Sequence, residues 1–156
     1  MATLVGTQKA LSSMLNQLIE LDFDTIEAYR AAMDRLESPS DHTQLQWFLA
    51  DHERHVRELS LLVRQLGETP AEEADMKQVL TKGKVVIASL LGDRAVLSAM
   101  KSNEDDSNLA YERAVRRNDL PARVRSVLER NLADERRHRT WLEARIAEQP
   151  SASASA

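Results

Sequence analysis

The sequence contains no cysteine, and this absence excludes several kinds of chemistry. Disulfides, thiolate metal sites and cysteine nucleophiles are all ruled out. Glycine and proline occur only four times each, and aromatic residues make up 4% of the chain. So few turn-forming and aromatic residues favour a helical protein over one built from sheets.

Charge and hydropathy give no indication of a nucleic acid or a membrane as a partner. The formal net charge of -4 comes from interspersed acids and bases, without a long basic block. No apolar run approaches the ~20 residues that cross a bilayer. Residues 1–6 lack the charged and apolar regions of a secretory signal. We therefore expect a cytoplasmic protein that binds neither nucleic acid nor membrane.

Apolar residues recur at three- and four-residue spacing in four long segments, which predicts four helices. The first helix should run over about residues 7–36. The second should follow an N-cap at Ser40 and stop at Gly67. Asp93 should cap the third helix, and the fourth should begin at the turn that ends in Pro121. Nowhere do β-branched and polar residues alternate over a usable length, so no strand competes.

The connections between these helices predict how they are arranged. Short loops join the first pair and the last pair, so each pair should form an antiparallel hairpin. Residues 68–92 are too many for a hairpin turn, and the apolar stretch at 85–91 predicts a short helix packed across the bundle. We expect an all-α, antiparallel four-helix bundle over residues 1–148, with one long crossover that contains this extra helix. Residues 149–156 are small and of low complexity, and we expect them to be a disordered tail.

The most informative feature is a pattern that the chain carries twice. Residues 49–55 read Leu-Ala-Asp-His-Glu-Arg-His, and residues 132–138 read Leu-Ala-Asp-Glu-Arg-Arg-His. Each copy follows an acid that lies seven residues before a tyrosine, namely Asp22 with Tyr29 and Glu104 with Tyr111. Each helical hairpin thus carries an acid, then an acid or histidine, and then a histidine. These are the side chains that a metal site between four helices needs.

Six of these polar residues interrupt faces that are otherwise apolar: Asp22, His52, His55, Glu104, Glu135 and His138. A buried carboxylate costs several kcal/mol unless it is paired or bound to a metal. Two metal ions would compensate all six, because carboxylates and neutral imidazoles are good ligands for iron, manganese or zinc. Residues at i and i+3 share a helix face, so each histidine can reach the same centre as the residue three before it. We predict these six residues as metal ligands.

Each residue also has a purely structural interpretation. A single Glu-x-x-His is common, and His52 can be a core histidine bonded to a carbonyl. Asp22 and Glu104 lie in acidic stretches, where an error of one residue would turn them outward. Tyr29 and Tyr111 are most simply core residues with a tethered hydroxyl. Five arginines fall off the apolar stripes and are predicted as a solvated face: Arg54, Arg57, Arg136, Arg137 and Arg139. The joint pattern favours the metal, since three of the four histidines take inward positions in matching places.

Residues 15–18, together with the acid and tyrosine that follow them, resemble the first helix of bacterioferritins. Residues 91–97, and residues 103–111 with the later Asp-Leu-Pro at 119–121, resemble a bacterial ferritin-like family of unknown function. Over residues 8–147 the chain is thus similar to the ferritin-like superfamily of ferritins, bacterioferritins and rubrerythrins. The resemblance implies the ferritin-like form of the bundle, with its single long crossover.

In the di-iron members of that superfamily, the first and third helices each give a glutamate, and the second and fourth each give Glu-x-x-His. Carried over by position, the matching residues are Asp22, Glu104, His55, and Glu135 with His138, while His52 takes the place of the second helix's glutamate. Asp22 is one methylene shorter than a glutamate, and a neutral imidazole cannot bridge two ions as a carboxylate can. Glu135 is then the one obvious protein bridge. We expect two iron ions with unequal occupancy, with manganese or zinc as alternatives.

The resemblance implies a non-haem, dinuclear iron or manganese protein that acts on oxygen, peroxide or Fe(II). Peroxide reduction would need a separate electron donor, because a chain without cysteine has no rubredoxin-like domain. A second interpretation is iron storage, which requires a closed shell of many copies and hence a homo-oligomer. A third is a metal-free helical protein with a structural, interaction or stress-response role.

Overall fold

Four long helices form the body of the protein, as the spacing of apolar residues predicts. The computed structural model describes residues 3, 5–6, 10–76 and 86–150. The helices are α1 (Leu11–Arg35), α2 (Pro39–Gln65), α3 (Asp93–Val115) and α4 (Ala122–Glu148). A 3₁₀ turn at Glu73–Met76 follows α2, and the described elements include no strand. No helix within the described ranges is both long enough and apolar enough to cross a membrane.

The helices pack so that every neighbour runs antiparallel. Helix α1 packs against α2 and α3, and α4 packs against α3 and α2. The end of α1 meets the start of α3, where the Asp93 carboxylate accepts hydrogen bonds from the backbone of Glu37 and Ser38. The end of α4 meets the start of α2, where Arg145 lies 2.8 Å from Asp41. Helices α2 and α3 are therefore diagonal and run in the same direction. The prediction of an all-α antiparallel four-helix bundle is confirmed.

Three predicted segments fall partly beyond the residues that the structure describes. Of the crossover helix expected near residues 80–91, residues 86–91 are described; residues 86–88 are helical and residues 89–91 are not. Residues 7–9, at the predicted start of the first helix, lie outside the described part. The same holds for residues 151–156 of the predicted tail, so the division at residue 148 stays a prediction.

Two of the predicted helix caps are wrong. Ser38, not Ser40, caps α2: its hydroxyl accepts from the backbone N–H of Asp41 at 3.3 Å. Pro39 is already helical, because a residue without an N–H fits the first position of a helix. Asp93 is the first residue of α3 rather than its cap, and its carboxylate instead fixes the connection between α1 and α2. The predicted stop at Gly67 is confirmed: α2 ends at Gln65, and Gly67 takes a left-handed conformation with φ of 80°.

The hydrophobic core is divided into two clusters, one toward each end of the bundle. One cluster contains the N-terminal halves of α1 and α4 and the C-terminal halves of α2 and α3, with Leu15 and Leu128 among its members. The other contains the opposite halves, with Phe48 and Leu142. The six predicted ligands lie near the middle of the helices, between the two clusters. Apolar packing therefore closes both ends of a polar central layer.

We expect Asp93→Ala to lower the free energy of unfolding by about 1–2 kcal/mol, because two backbone N–H groups lose a charged acceptor. Urea unfolding followed by circular dichroism measures this change. Asp75→Ala is the matched control, since it removes an exposed acid from the 3₁₀ turn. Equal stability of the two variants would show that Asp93 does not hold the connection between α1 and α2.

Candidate metal centre

The six predicted ligands meet in the middle of the bundle. All are buried, with exposed fractions of 0–1%, and they come from all four helices. They are Asp22 from α1, His52 and His55 from α2, Glu104 from α3, and Glu135 and His138 from α4. The structure brings together every residue that the repeated pattern indicated. Their role as metal ligands stays a prediction.

The centre has two halves that share two residues. One group comprises Asp22, His52, His55 and Glu135, and the other comprises His52, Glu104, Glu135 and His138. Within each group the candidate ligand atoms all lie within 4.8 Å of one another. Donors bound to one ion at about 2 Å are at most about 4 Å apart, so small side-chain movements would let each group hold an ion. The shared residues, His52 and Glu135, occupy matching positions in the repeat.

The His52 ring lies between the acids of α1 and α3. Its Nδ1 is 2.8 Å from Asp22 Oδ1 and 3.5 Å from Glu135 Oε1. Its Nε2 is 3.2 Å from Glu104 Oε1. Each ring nitrogen therefore faces a different half of the centre. A neutral imidazole has one N–H and one lone-pair nitrogen, so only one of these nitrogens can bind an ion without losing a proton.

Two aspartates that are not among the predicted ligands orient the other histidines. His138 Nε2 lies 2.9 Å from Asp51 Oδ2, and His55 Nε2 lies 3.2 Å from Asp134 Oδ2. The inward nitrogens face the acids: His55 Nδ1 is 3.3 Å from Glu135 Oε1. Neither inward Nδ1 has a hydrogen-bond partner. An outer nitrogen fixed by a carboxylate and an inner nitrogen available to a ligand is the usual arrangement of metal-binding histidines.

These contacts cross between the two copies of the repeat. Asp51 belongs to the first copy and holds a histidine of the second, whereas Asp134 belongs to the second and holds a histidine of the first. The sequence did contain a signal, because an aspartate stands directly before the first ligand in both copies. Helical periodicity places that position at the edge of the buried stripe. Only the packing of α2 against α4 reveals its partner.

The two tyrosines contact the acids in the same reciprocal way. The Tyr111 hydroxyl donates to Asp22 Oδ2 at 2.7 Å, and the Tyr29 hydroxyl donates to Glu104 Oε1. Burial and the neighbouring carboxylates raise the pKa of both phenols well above its usual value. Both side chains therefore stay protonated and act as hydrogen-bond donors that hold the acids in place.

Within the centre, burial and pairing with opposite charge shift the pKa of each ionisable group in opposite directions. Burial, with a contribution from Glu104, raises the pKa of Glu135 to about 7, although His52 and His55 act to lower it. Burial alone would lower the pKa of His55, but the hydrogen bond to Asp134 and the nearby carboxylates of Asp22 and Glu135 raise it to about 10. In the protein alone, imidazolium groups thus offset much of the carboxylate charge. Glu135 is the acid whose charge is least stabilised.

Several buried atoms in the centre have no hydrogen-bond partner. They are His55 Nδ1, Glu104 Oε2, both carboxylate oxygens of Glu135, and His138 Nδ1. A buried polar group without a partner costs about 1–3 kcal/mol, so five such atoms in one place need a common compensation. Every one of them is an oxygen or imidazole nitrogen, the donor types that suit iron, manganese and zinc. The residues present therefore fit a pair of transition-metal ions.

Residues 10–117 match the model of a family described as Domain of unknown function (DUF2383). This range covers more than half of the chain. The chain is a member of the DUF2383 family. Searches of the curated proteins and of the solved structures gave no significant match. The matched range contains α1, α2 and α3 with four of the six candidate ligands, while Glu135 and His138 lie beyond it. Membership shows an all-helical domain of unknown function.

We expect Tyr111→Phe to lower the free energy of unfolding of the metal-free protein by about 1.5–3 kcal/mol, because Asp22 loses a hydrogen-bond donor inside the core. Tyr29→Phe should have a similar effect through Glu104. Urea unfolding measured in the presence of a chelator tests both variants. Thr140→Val, which removes an exposed hydroxyl from α4, is the control. Unchanged stability in both tyrosine variants would contradict the tethering role.

Proposed function

We propose that this protein binds two transition-metal ions, iron first with manganese or zinc as alternatives, in the middle of a ferritin-like bundle. We further propose that the ions act on oxygen, peroxide or Fe(II). One observation carries the proposal: six buried side chains with metal-ligand atoms converge from four helices, and five of their atoms have no hydrogen-bond partner. The sequence resemblance to di-iron proteins of the ferritin-like superfamily also supports it.

Each half of the centre would hold one cation with its own pair of side chains and with two shared residues. Asp22 and His55 serve one half of the centre, Glu104 and His138 serve the other, and His52 and Glu135 stand between them. The three carboxylates offset the charge of the ions, and the apolar clusters at both ends keep bulk water away. When bound, such ions supply the oxidation and reduction that carboxylates and imidazoles cannot supply themselves. Reduction of peroxide consumes electrons, so a separate electron donor is part of this proposal.

One observation favours a second candidate, a metal-free helical protein with a structural or interaction role. Three imidazoles face three carboxylates, and hydrogen bonds and opposite charge raise the pKa of His52 and lower the pKa of Glu104 despite burial. The centre is therefore partly neutralised without any ion. The two candidates differ in one measurable property, which is whether the folded protein contains and needs a metal.

We expect protein purified without added metal to contain iron or manganese, and we expect Glu135→Ala to lose most of it. Elemental analysis of both proteins measures the change, and Glu129→Ala, an exposed acid on the same helix, is the control. Chelation should also lower the melting temperature of the natural protein, because metal bonds offset buried charge only in the folded state. A Glu135→Ala variant with full metal content, or a natural protein with none after reconstitution, would favour the metal-free candidate.

We expect the two ions to bind unequally, and we expect His52→Glu to strengthen the weaker one. A carboxylate at this position neutralises charge and bridges two ions, whereas a neutral imidazole serves one. Anaerobic titration with Fe(II), followed by exposure to oxygen, measures the metal-to-protein ratio and the oxidation rate. His42→Glu makes the same change at an exposed site on α2 and is the control. Two equally tight ions in the natural protein, with no gain in His52→Glu, would contradict this role of His52.

A further inference from the structure

Outside the six candidate ligands, four charged side chains form a closed ring on the seam between α2 and α4. They are Asp51 and Arg54 from α2, and Asp134 and Arg137 from α4. Arg137 donates to Asp134 Oδ1 at 2.8 Å and to Asp51 Oδ2 at 2.6 Å. Arg54 donates to Asp134 Oδ2 and to Asp51 Oδ1, the second contact at 3.4 Å. Each arginine therefore contacts both carboxylates.

The ring follows from the repeated pattern. Arg54 and Arg137 occupy the same place in the two copies, three residues after the aspartate and one before the histidine. Both arginines lie off the apolar stripes, which predicts a solvated face. Their side chains are indeed 28% and 56% exposed, but the guanidinium groups are turned onto the two aspartates. The planar fork of a guanidinium is suited to contacting two acceptors at once.

Both carboxylates of the ring also hold a candidate metal ligand. Asp51 holds His138, and Asp134 holds His55, so the ring is connected to one histidine in each half of the centre. The guanidinium of Arg137 contacts Asp51 and Asp134. A displacement of this side chain therefore alters the aspartate–histidine contact in each half of the centre. The two halves are therefore linked through a single set of hydrogen bonds, in addition to the shared residues His52 and Glu135.

Exposed ion pairs are usually worth little, and this is the simplest alternative for the ring. Its carboxylates, however, are largely covered: the side chains of Asp51 and Asp134 are only 24% and 11% exposed. The two acids lie close enough to share both guanidinium groups, so their like charges repel each other. The arginines contact both carboxylates and hold them in place against the histidines.

We propose that Arg54 and Arg137 are positioning residues of the metal centre, acting through Asp51 and Asp134 to hold His55 and His138 as a linked pair. The proposal rests on the proposed function, since it concerns the binding of the two ions. Its consequence is specific: loss of either arginine weakens the binding of both ions rather than one. The reason is that each arginine contacts both aspartates.

The test is the affinity for Zn(II), which is not oxidised or reduced, measured in competition with a chromogenic chelator. We expect Arg137→Gln and Arg54→Gln each to weaken both binding steps about tenfold, at the lower end of the range for outer partners of a metal ligand. Arg136→Gln makes the same charge change one residue away, on a side chain that contacts Glu112, and should bind as the natural protein does. Arg137→Lys keeps the positive charge but loses the planar guanidinium that contacts two acceptors. Its Zn(II) affinity should therefore lie between those of Arg137→Gln and the natural protein.

A second measurement separates positioning from general destabilisation. In the Zn(II)-loaded protein, the Nε2 protons of His55 and His138 should give low-field NMR signals, and Arg137→Gln should shift both. In the Asp51→Asn, Asp134→Asn background, Arg137→Gln should add no further loss of affinity, because the arginine acts through those acids. The proposal is overturned if Arg137→Gln and Arg54→Gln bind Zn(II) as tightly as the natural protein and leave both signals unshifted. It is also overturned if Arg136→Gln loses as much Zn(II) affinity as these two variants. If the natural protein binds no Zn(II), iron or manganese at all, the proposed function itself is wrong.

Discussion

Burial of six ionisable side chains in one layer is the constraint on which the rest of this structure depends. Each carboxylate and imidazole in that layer must find opposite charge or a hydrogen-bond partner, because burial alone opposes its charged form. The protein meets this requirement with contacts between helices: the tyrosines donate to the acids, and the outer aspartates hold the histidines. The apolar clusters at the two ends then need only ordinary packing. The central layer therefore constrains which faces of the four helices meet.

Much of this arrangement could be predicted from sequence, for identifiable physical reasons. A helical stripe determines which residues face inward, so the spacing of Glu135 and His138 was enough to place them in the core. The duplication made the prediction stronger, since Asp22 and Glu104 were located by their distance from matching tyrosines. Local propensity was less reliable at the helix ends. Ser40 and Asp93 are both good capping residues, but Pro39 fixed the start of α2, and Asp93 bonds to another part of the chain.

The features that escaped prediction depend on how one helix faces another. Asp51 and Asp134 lie at the edge of a stripe, where a polar residue is compatible with either solvent or a buried partner. Arg54 and Arg137 extend across the seam on long side chains, and periodicity does not say where such chains turn. The two copies of the repeat also differ in the residue that lies four positions before His52 and Glu135. Phe48, four residues before His52, packs against His138 with ring centroids 4.2 Å apart. At the matching place, Asn131 is buried with no partner for its amide.

The reciprocal contacts have a consequence for how the chain assembles. The tyrosine–acid contacts, and the contacts of Asp51 and Asp134 with the histidines, all join one hairpin to the other. A single hairpin would therefore lack all of these contacts, although the first would keep the pair of His52 with Asp22. This is the contact pattern of an isologous dimer, in which residue i of one copy contacts residue j of the other and the reverse also holds. The protein is, in effect, a two-fold dimer of helical hairpins joined into one chain by residues 66–92.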